Sequence, residues 1–451
     1  MLDIRLIREN PELVRAAIER RGGDAAPLDA LLRADERRRA LLLQVEALRA
    51  DRNRVSEEIG TLKKAGGDAA EMVAEMRQVG ERIKELEELL REVEADQERV
   101  ALDLPNIPDE SAPEGTTEDD NLVVREWGEP REFDFEPKPH WEIAVNLGLV
   151  DFERATNIAG ANFEVFTGAG ARLRRALINF MLDLHTQEHG YTEVAPPVIA
   201  RRDSLIASGH LPKFEGEQFH VRENDMFLIP TAEAALVNIH RDEILEAEAL
   251  PVRYVAYTPC FRNEKFGAGK ESRGLVRQFQ FDKVEMFKFV LPETSMEELE
   301  SLVTEAESVY QKLGIPYKLA LLCGGQMSMA ATKAYDPMAW FPGTGSWIEL
   351  SSCSNCLDWQ ARRANVRFRR EKGAKPEFVH TLNGSGLAVG RTFAAILENY
   401  QQEDGSVVVP GRLREYMNGA CKIGKQGCKY EIVSEDIDEA RPRFDQLGNE
   451  L

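Results

Sequence analysis

Two apolar heptad series separated by a glycine turn constrain this chain more than any other feature. Leu41, Val45, Leu48, Val55, Ile59 and Leu62 keep four-three spacing around Arg52. After Ala65-Gly66-Gly67-Asp68 the pattern resumes through Met72, Met76, Val79, Ile83, Leu86, Leu90, Val93 and Val100, with Gln97 as its break. A narrow apolar stripe of this period is covered by a second helix, and the glycine turn supplies that helix from the same chain. The spacing therefore predicts a two-stranded antiparallel coiled coil, each helix roughly 45 to 55 Å long at the α-helical rise.

The rest of the domain plan follows from the breaks. Asn10-Pro11 suits a cap and first helical position, which predicts small helices flanking the hairpin. Leu104-Pro105-Asn106-Ile107-Pro108 ends the helical region, and Asp109 to Asn121 reads as an acidic, proline-containing linker. We expect an N-terminal domain over 1–108 with its arm at about 30–103, a linker and start of the body over 109–134, a second domain over 135–420, and a tail over 421–451. A chain of 451 residues exceeds one compact core, which agrees with two domains. Beyond residue 135, strand-like runs such as Arg253-Tyr-Val-Ala-Tyr alternate with helices such as Ser295 to Leu313, so the fold class is α+β. No charged segment followed by an apolar one opens the chain and no apolar run approaches spanning length, which predicts a cytoplasmic protein with no membrane partner.

Three segments carry chemistry. Phe261-Arg262-Asn263-Glu264, followed by Gln280-Phe281-Asp282-Lys283-Val284-Glu285, resembles the second signature of class II aminoacyl-tRNA synthetases, two antiparallel strands that hold a bent ATP. Asn383-Gly384-Ser385-Gly386-Leu387-Ala388-Val389-Gly390-Arg391 runs into an apolar helix; its small residues suit close approach of backbone to a ligand, and its arginine lies at a helix start favourable to anions. Leu173, Leu177, Phe180 and Leu184 repeat at helical spacing before Gly190 and a strand stopped by Pro196-Pro197, the layout of the class II dimerisation signature. The longer strings Ile229-Pro-Thr-Ala-Glu233, Glu349-Leu-Ser-Ser-Cys-Ser-Asn355, Asp358-Trp-Gln-Ala-Arg-Arg-Ala-Asn365 and Thr381-Leu-Asn-Gly-Ser-Gly-Leu-Ala388 resemble the bacterial seryl-tRNA synthetase family over nearly the whole chain.

That resemblance implies an antiparallel sheet flanked by helices, a homodimer, and a ligase that makes seryl-adenylate from L-serine and ATP and transfers it to tRNA(Ser). It implies a serine pocket of Thr231, Glu233, Arg262, Glu285 and Ser385, with Glu233 alternatively a structural partner of an arginine. It places ATP against Arg262, Glu264, Phe281, Glu349, Ser352 and Arg391, with Arg262 and Arg391 stabilising phosphate charge. Glu349 and Ser352 are oxygen donors suited to Mg2+. Cys353 and Cys356 have metal-ligand spacing relative to Cys421 and Cys428, yet Cys353 lies inside one of the active-site strings, so no structural zinc is expected.

A formal net charge of −21 sits oddly with RNA binding, but residues 36–64 carry Arg37, Arg38, Arg39, Arg49, Arg52, Arg54, Lys63 and Lys64 against five acids. Charge alone fits pairing with the acidic return helix. The resemblance instead assigns Arg49, Arg52, Arg54, Lys63 and Lys64 to tRNA. Departures from the family's usual wording fall at Asn263 to Gly267, at Phe279, between Cys323 and Met329, and at Trp347-Ile348. They leave open a divergent duplicate serving a specialised pathway or inhibitor resistance, and a synthetase-like tRNA-binding module without catalysis.

Overall fold

The computed structural model describes residues 1–263 and 274–424, and the chain divides into two units, Met1–Pro105 and Asn106–Leu451. In the first, α1 (Ile4–Glu9) begins where Asp3 accepts from the Arg5 amide at 2.8 Å. Asn10 and Pro11 do start α2 (Pro11–Arg20), although the Asn10 side chain makes no capping bond. The hairpin is α3 (Ala26–Lys64) and α4 (Ala70–Ala101), 39 and 32 residues long. At the α-helical rise these span roughly 58 and 48 Å. Asp68 accepts from the Ala70 amide at 2.9 Å where the return helix begins.

Leu41, Val45, Ile83, Leu86 and Val93 form the buried seam of the hairpin, with Leu48, Val79 and Leu90 against it. Toward the turn the seam opens, and Leu62 is 36% exposed. The break at Gln97 is a polar layer. Gln97 donates to Asp35 at 3.3 Å, and the buried Asp35 carboxylate also accepts from Arg8 and Arg39, each at 3.0 Å. Such a layer opposes slippage, because any other register leaves a buried charge facing apolar side chains.

The second unit is built on a nine-stranded sheet. In chain order its strands are β1 (Leu122–Trp127), β2 (Thr192–Glu193), β3 (Val252–Phe261), β4 (Gln280–Val290), β5 (Tyr317–Leu321), β6 (Lys333–Phe341), β7 (Ser346–Glu349), β8 (Cys353–Asn355) and β9 (His380–Ala388). They are ordered β1-β5-β6-β8-β9-β4-β3-β2, with β7 pairing β6. Each pairing is antiparallel except β2 with β3. The helices that position the site are α5 (His140–Asn146), α6 (Gly168–Gln187), α7 (Ser295–Leu313), α8 (Trp359–Ala364) and α9 (Val389–Asn399). Leu173, Leu177, Phe180 and Leu184 of α6, the apolar stripe of α7 and most of α9 join one core with Val284, Met286 and Leu382 of the sheet. No helix among the described residues is long and apolar enough to cross a membrane.

Two expectations need correction here. The stretch from Asn106 to Asn121, which contains the expected linker, is bonded to the second unit: Asn106 donates to the Ala330 and Cys356 carbonyls at 2.8 and 2.9 Å and the Asp109 amide bonds Thr332 at 2.8 Å, while β1 lies in the part of 109–134 expected to start the body. Its backbone donors find carbonyls there, which outweighs an acidic, linker-like composition. At the other end, Lys422–Ile423 pairs with Val407–Val408, so the body extends beyond 420. Residues 425–451, Cys428 included, lie outside the described residues.

Candidate active site

Alternation along β4 builds the floor of the site. Phe281, Lys283 and Glu285 line a cavity of about 280 Å³, while Val284 and Met286 enter the core behind the sheet. Across the ladder Glu285 is in register with Ser385 of β9, and Lys283 lies opposite Ala388. Glu285 is 1% exposed, and Lys283 Nζ stands 2.6 Å from its Oε2. Lys283 is a site residue that sequence patterning discloses, because a position midway between two same-face residues of a strand shares their face.

Thr231 and Glu233 enter the cavity from the short helical turn after Pro230. Gln360 of α8 donates to Glu233 Oε1 at 2.5 Å, so the carboxyl is held by an amide and not by the arginine considered from sequence. Burial, and then the negative charge of Glu285, push Glu233 up to about 7. His210 is a wall residue that the sequence does not disclose. Burial pushes its imidazole down to about 3, with Arg262 and Lys283 adding to the effect, and Ser208 Oγ lies 2.8 Å from its Nδ1. A lone histidine after a short helix carries no signal in sequence.

Arg262 leaves the end of β3 with its guanidinium 5.1 Å from the centre of the Phe281 ring and Nε donating to the Pro230 carbonyl at 3.3 Å. Arg391, in the first turn of α9, donates to the Glu349 carbonyl at 2.6 Å and to the Val276 carbonyl at 3.0 Å. The two arginines thus line one cavity with both acids of the serine set. Gly390 borders the cavity, whereas Gly384 and Gly386 act differently. A Cβ on Gly384 would come 2.8 Å from Cys353 Sγ, and one on Gly386 2.5 Å from His185 Nε2, so their smallness serves packing behind the strand and not ligand approach.

Glu349 and Ser352 share the corner beside Arg391. Asp336 of β6 adjoins them; its Oδ1 is shut from solvent without a hydrogen-bond partner, and burial followed by the Glu349 charge pushes its carboxyl well up. This corner offers hard oxygen donors only, and the Glu349 side chain remains 43% exposed, which fits a divalent cation that keeps several waters.

Among the ATP and serine residues named from sequence, Thr231, Glu233, Arg262, Phe281, Glu285, Glu349, Ser352, Ser385 and Arg391 all border this cavity. Glu264 lies outside the described residues. Of the departures from family wording, Ser328 reaches the wall. Phe279 packs against Phe163 and Phe219, and Trp347 against Trp340 and beneath Lys318. The arm residues belong to the other unit. Arg49 bonds Glu87 across the hairpin at 2.7 Å, and Arg54 bonds Asp51 and Glu58 on its own helix. Arg52, Lys63 and Lys64 make no ion pair among the described residues.

An antiparallel sheet backed by helices, carrying two arginines and a set of carboxylates in one small cavity, defines the catalytic core of a class II aminoacyl-tRNA synthetase. Residues 213–400 match the family described as the tRNA synthetase class II core domain (G, H, P, S and T), and residues 1–108 match the seryl-tRNA synthetase N-terminal domain. The serine–tRNA ligase of Geobacillus kaustophilus is 55% identical over 417 residues, 92% of this chain and 98% of its own. That of Bacillus cereus is 55% identical over 423 residues, 94% and 100%. The crystal structure of seryl-tRNA synthetase from Pyrococcus horikoshii complexed with ATP superposes with a TM-score of 0.89 at 39% identity, covering 94% of this chain and 99% of that one. The chain belongs to the seryl-tRNA synthetase family.

Proposed function

We propose that this protein activates L-serine with ATP to form seryl-adenylate and transfers the seryl group to tRNA(Ser). One observation carries the reading: a single cavity joins an acidic end, Glu233 and Glu285 with Thr231 and Ser385, to a cationic side holding Arg262 and Arg391. Serine matches that polarity. Its ammonium meets Thr231 and Glu285, its hydroxyl meets Glu285 and the in-register Ser385, and its carboxylate turns toward Arg262. Alanine would offer the buried Ser385 hydroxyl and the second Glu285 oxygen no hydroxyl partner, which is how so small a pocket discriminates.

In the first half-reaction a serine carboxylate oxygen attacks the α-phosphorus and pyrophosphate leaves. Arg262 compensates charge there, Phe281 offers a ring face to adenine, and Arg391 meets the γ-phosphate side. No protein nucleophile is required, because positioning and fixed charge supply the rate. Mg2+, held by Glu349 and Ser352, would neutralise phosphate oxygens in that corner. In the second half-reaction a terminal tRNA hydroxyl attacks the carbonyl and AMP leaves. The arm would grip an RNA helix through its basic residues, a homodimer would form through Arg172 to Pro197, and the working compartment would be the cytoplasm.

Serine-dependent ATP–pyrophosphate exchange followed by charging of transcribed tRNA(Ser) tests this. Both are expected. Exchange driven by another amino acid would overturn the serine assignment, and exchange without charging would favour the specialised duplicate.

A further inference from the structure

A buried pair outside the cavity touches four separate parts of the catalytic unit. His140, at the start of α5, and Glu398, near the end of α9, are both 0% exposed. His140 Nδ1 lies 2.8 Å from Glu398 Oε1, which also accepts the His140 amide at 2.9 Å. Glu398 Oε2 accepts from the Gly343 amide at 2.8 Å, in the turn between β6 and β7 that precedes Glu349. On the far side of the ring, His140 Nε2 accepts from the Leu275 amide at 3.1 Å.

This pattern dictates one tautomer. A backbone amide can only donate, so Nε2 is the unprotonated nitrogen and Nδ1 carries the proton toward Glu398. Leu275 begins the stretch whose next members, Val276, Arg277 and Gln278, line the cavity. Val276 gives its carbonyl to Arg391 at 3.0 Å. Gly274 has φ +74, and a Cβ there would collide with His140 Nε2. The backbone is therefore drawn onto the imidazole, and the stretch is held at two neighbouring points, by His140 at Leu275 and by Arg391 at Val276.

We propose that His140 is a positioning residue for the nucleotide, with Glu398 fixing its tautomer so that Nε2 anchors Leu275 and Arg391 keeps its seat beside the phosphates. The inference rests on reading the cavity as the ATP site. Serine contacts come from Thr231, Glu285 and Ser385 on other segments, so the effect falls on ATP and not on serine.

The test is serine-dependent pyrophosphate exchange with two variants. His140→Asn keeps a donor near Glu398 and loses the acceptor for Leu275, whereas His140→Gln places an acceptor near the Nε2 position. An orphaned buried amide is costly enough that KM for ATP should rise about tenfold in His140→Asn with KM for serine within about twofold, and His140→Gln should return toward wild type. Equal rises in both KM values, or none in a folded His140→Asn, would overturn the proposal. If His140→Asn does not fold, amide exchange in the wild-type chain decides: slow exchange at Leu275 supports the anchor, and fast exchange removes it. A wild type with no serine-dependent exchange would instead overturn the reading of the cavity, and this inference with it.

Discussion

Gln360 is fixed between Glu233 and Thr381: its amide nitrogen donates to Glu233 Oε1 at 2.5 Å while its carbonyl oxygen accepts from Thr381 Oγ1 at 2.8 Å. The amide cannot turn over without breaking both bonds, so the Glu233 carboxyl faces a fixed donor.

The first prediction concerns pH. Folding raises the Glu233 carboxyl from 4.5 to about 7, through burial first and Glu285 second. Its contribution to stability is then fully present below about pH 4.5 and is lost as pH rises toward about 7, because the unfolded chain gives up the proton earlier. Glu233→Gln keeps the acceptor for Gln360 and removes the charge. The variant should melt above wild type at pH 8, with the difference shrinking by pH 5. Parallel melting curves across that range would contradict the assignment.

Arg262→Ala should remove adenylate formation and spare the fold. Its side chain donates to Pro230 at 3.3 Å and lies over the Phe281 ring, and neither partner belongs to the apolar core. Loss of a preorganised charge at the reacting phosphate costs on the order of a hundredfold or more in rate. Serine-dependent exchange within a few-fold of wild type, with an unchanged melting curve, would remove Arg262 from the reaction.

Much of this was legible because strands and coiled coils write their faces into sequence. The heptads located the seam, and the string from Gln280 to Glu285 located the floor of the site. What escaped depends on contacts between distant segments. Asp336 and His210 are single polar residues whose meaning arises when Glu349 and Arg262 arrive from elsewhere in the chain. In sequence Gly384 and Gly386 suit ligand approach, because their neighbours in the fold, Cys353 and His185, are 31 and 201 residues away. The polar composition of residues 109–121 hid the carbonyls that bind their backbone.

Lys288 supplies a stability test away from the cavity. It is 0% exposed on the core side of β4, with Nζ 3.0 Å from Glu298 and 3.2 Å from Glu305, and Glu305 also accepts from the Tyr191 hydroxyl at 2.5 Å. Lys288→Ala would leave the buried Glu305 carboxylate without its cation, while Glu298 keeps Arg253 at 2.8 Å, a loss of about 3–5 kcal/mol in urea unfolding. Combining Lys288→Met with Glu305→Gln should cost less than Lys288→Ala alone, since a neutral pair avoids the uncompensated charge. If the single variant unfolds at the wild-type urea midpoint, the cluster contributes nothing.

The arm can be shortened without disturbing its root, since Asp35 and Gln97 bond at 3.3 Å and the two helices run side by side there. Replacing residues 42–90 with a short glycine-rich link removes Arg49, Arg52, Arg54, Lys63 and Lys64 while keeping that polar layer. None of the removed residues borders the cavity. Serine-dependent pyrophosphate exchange should therefore stay within about twofold of wild type, while charging of tRNA(Ser) falls by roughly a thousandfold or more, the scale on which several lost phosphate contacts act. Arg49 is already paired with Glu87, and Arg54 with acids of its own helix, so half-buried Arg52 and exposed Lys63 and Lys64, which make no ion pair among the described residues, offer a sharper second measurement. Arg52, Lys63 and Lys64 changed together to Gln should weaken tRNA binding and flatten its dependence on salt, with no change in the melting curve. Charging at wild-type efficiency by both variants would mean that the charges of α3 serve only to pair it with α4.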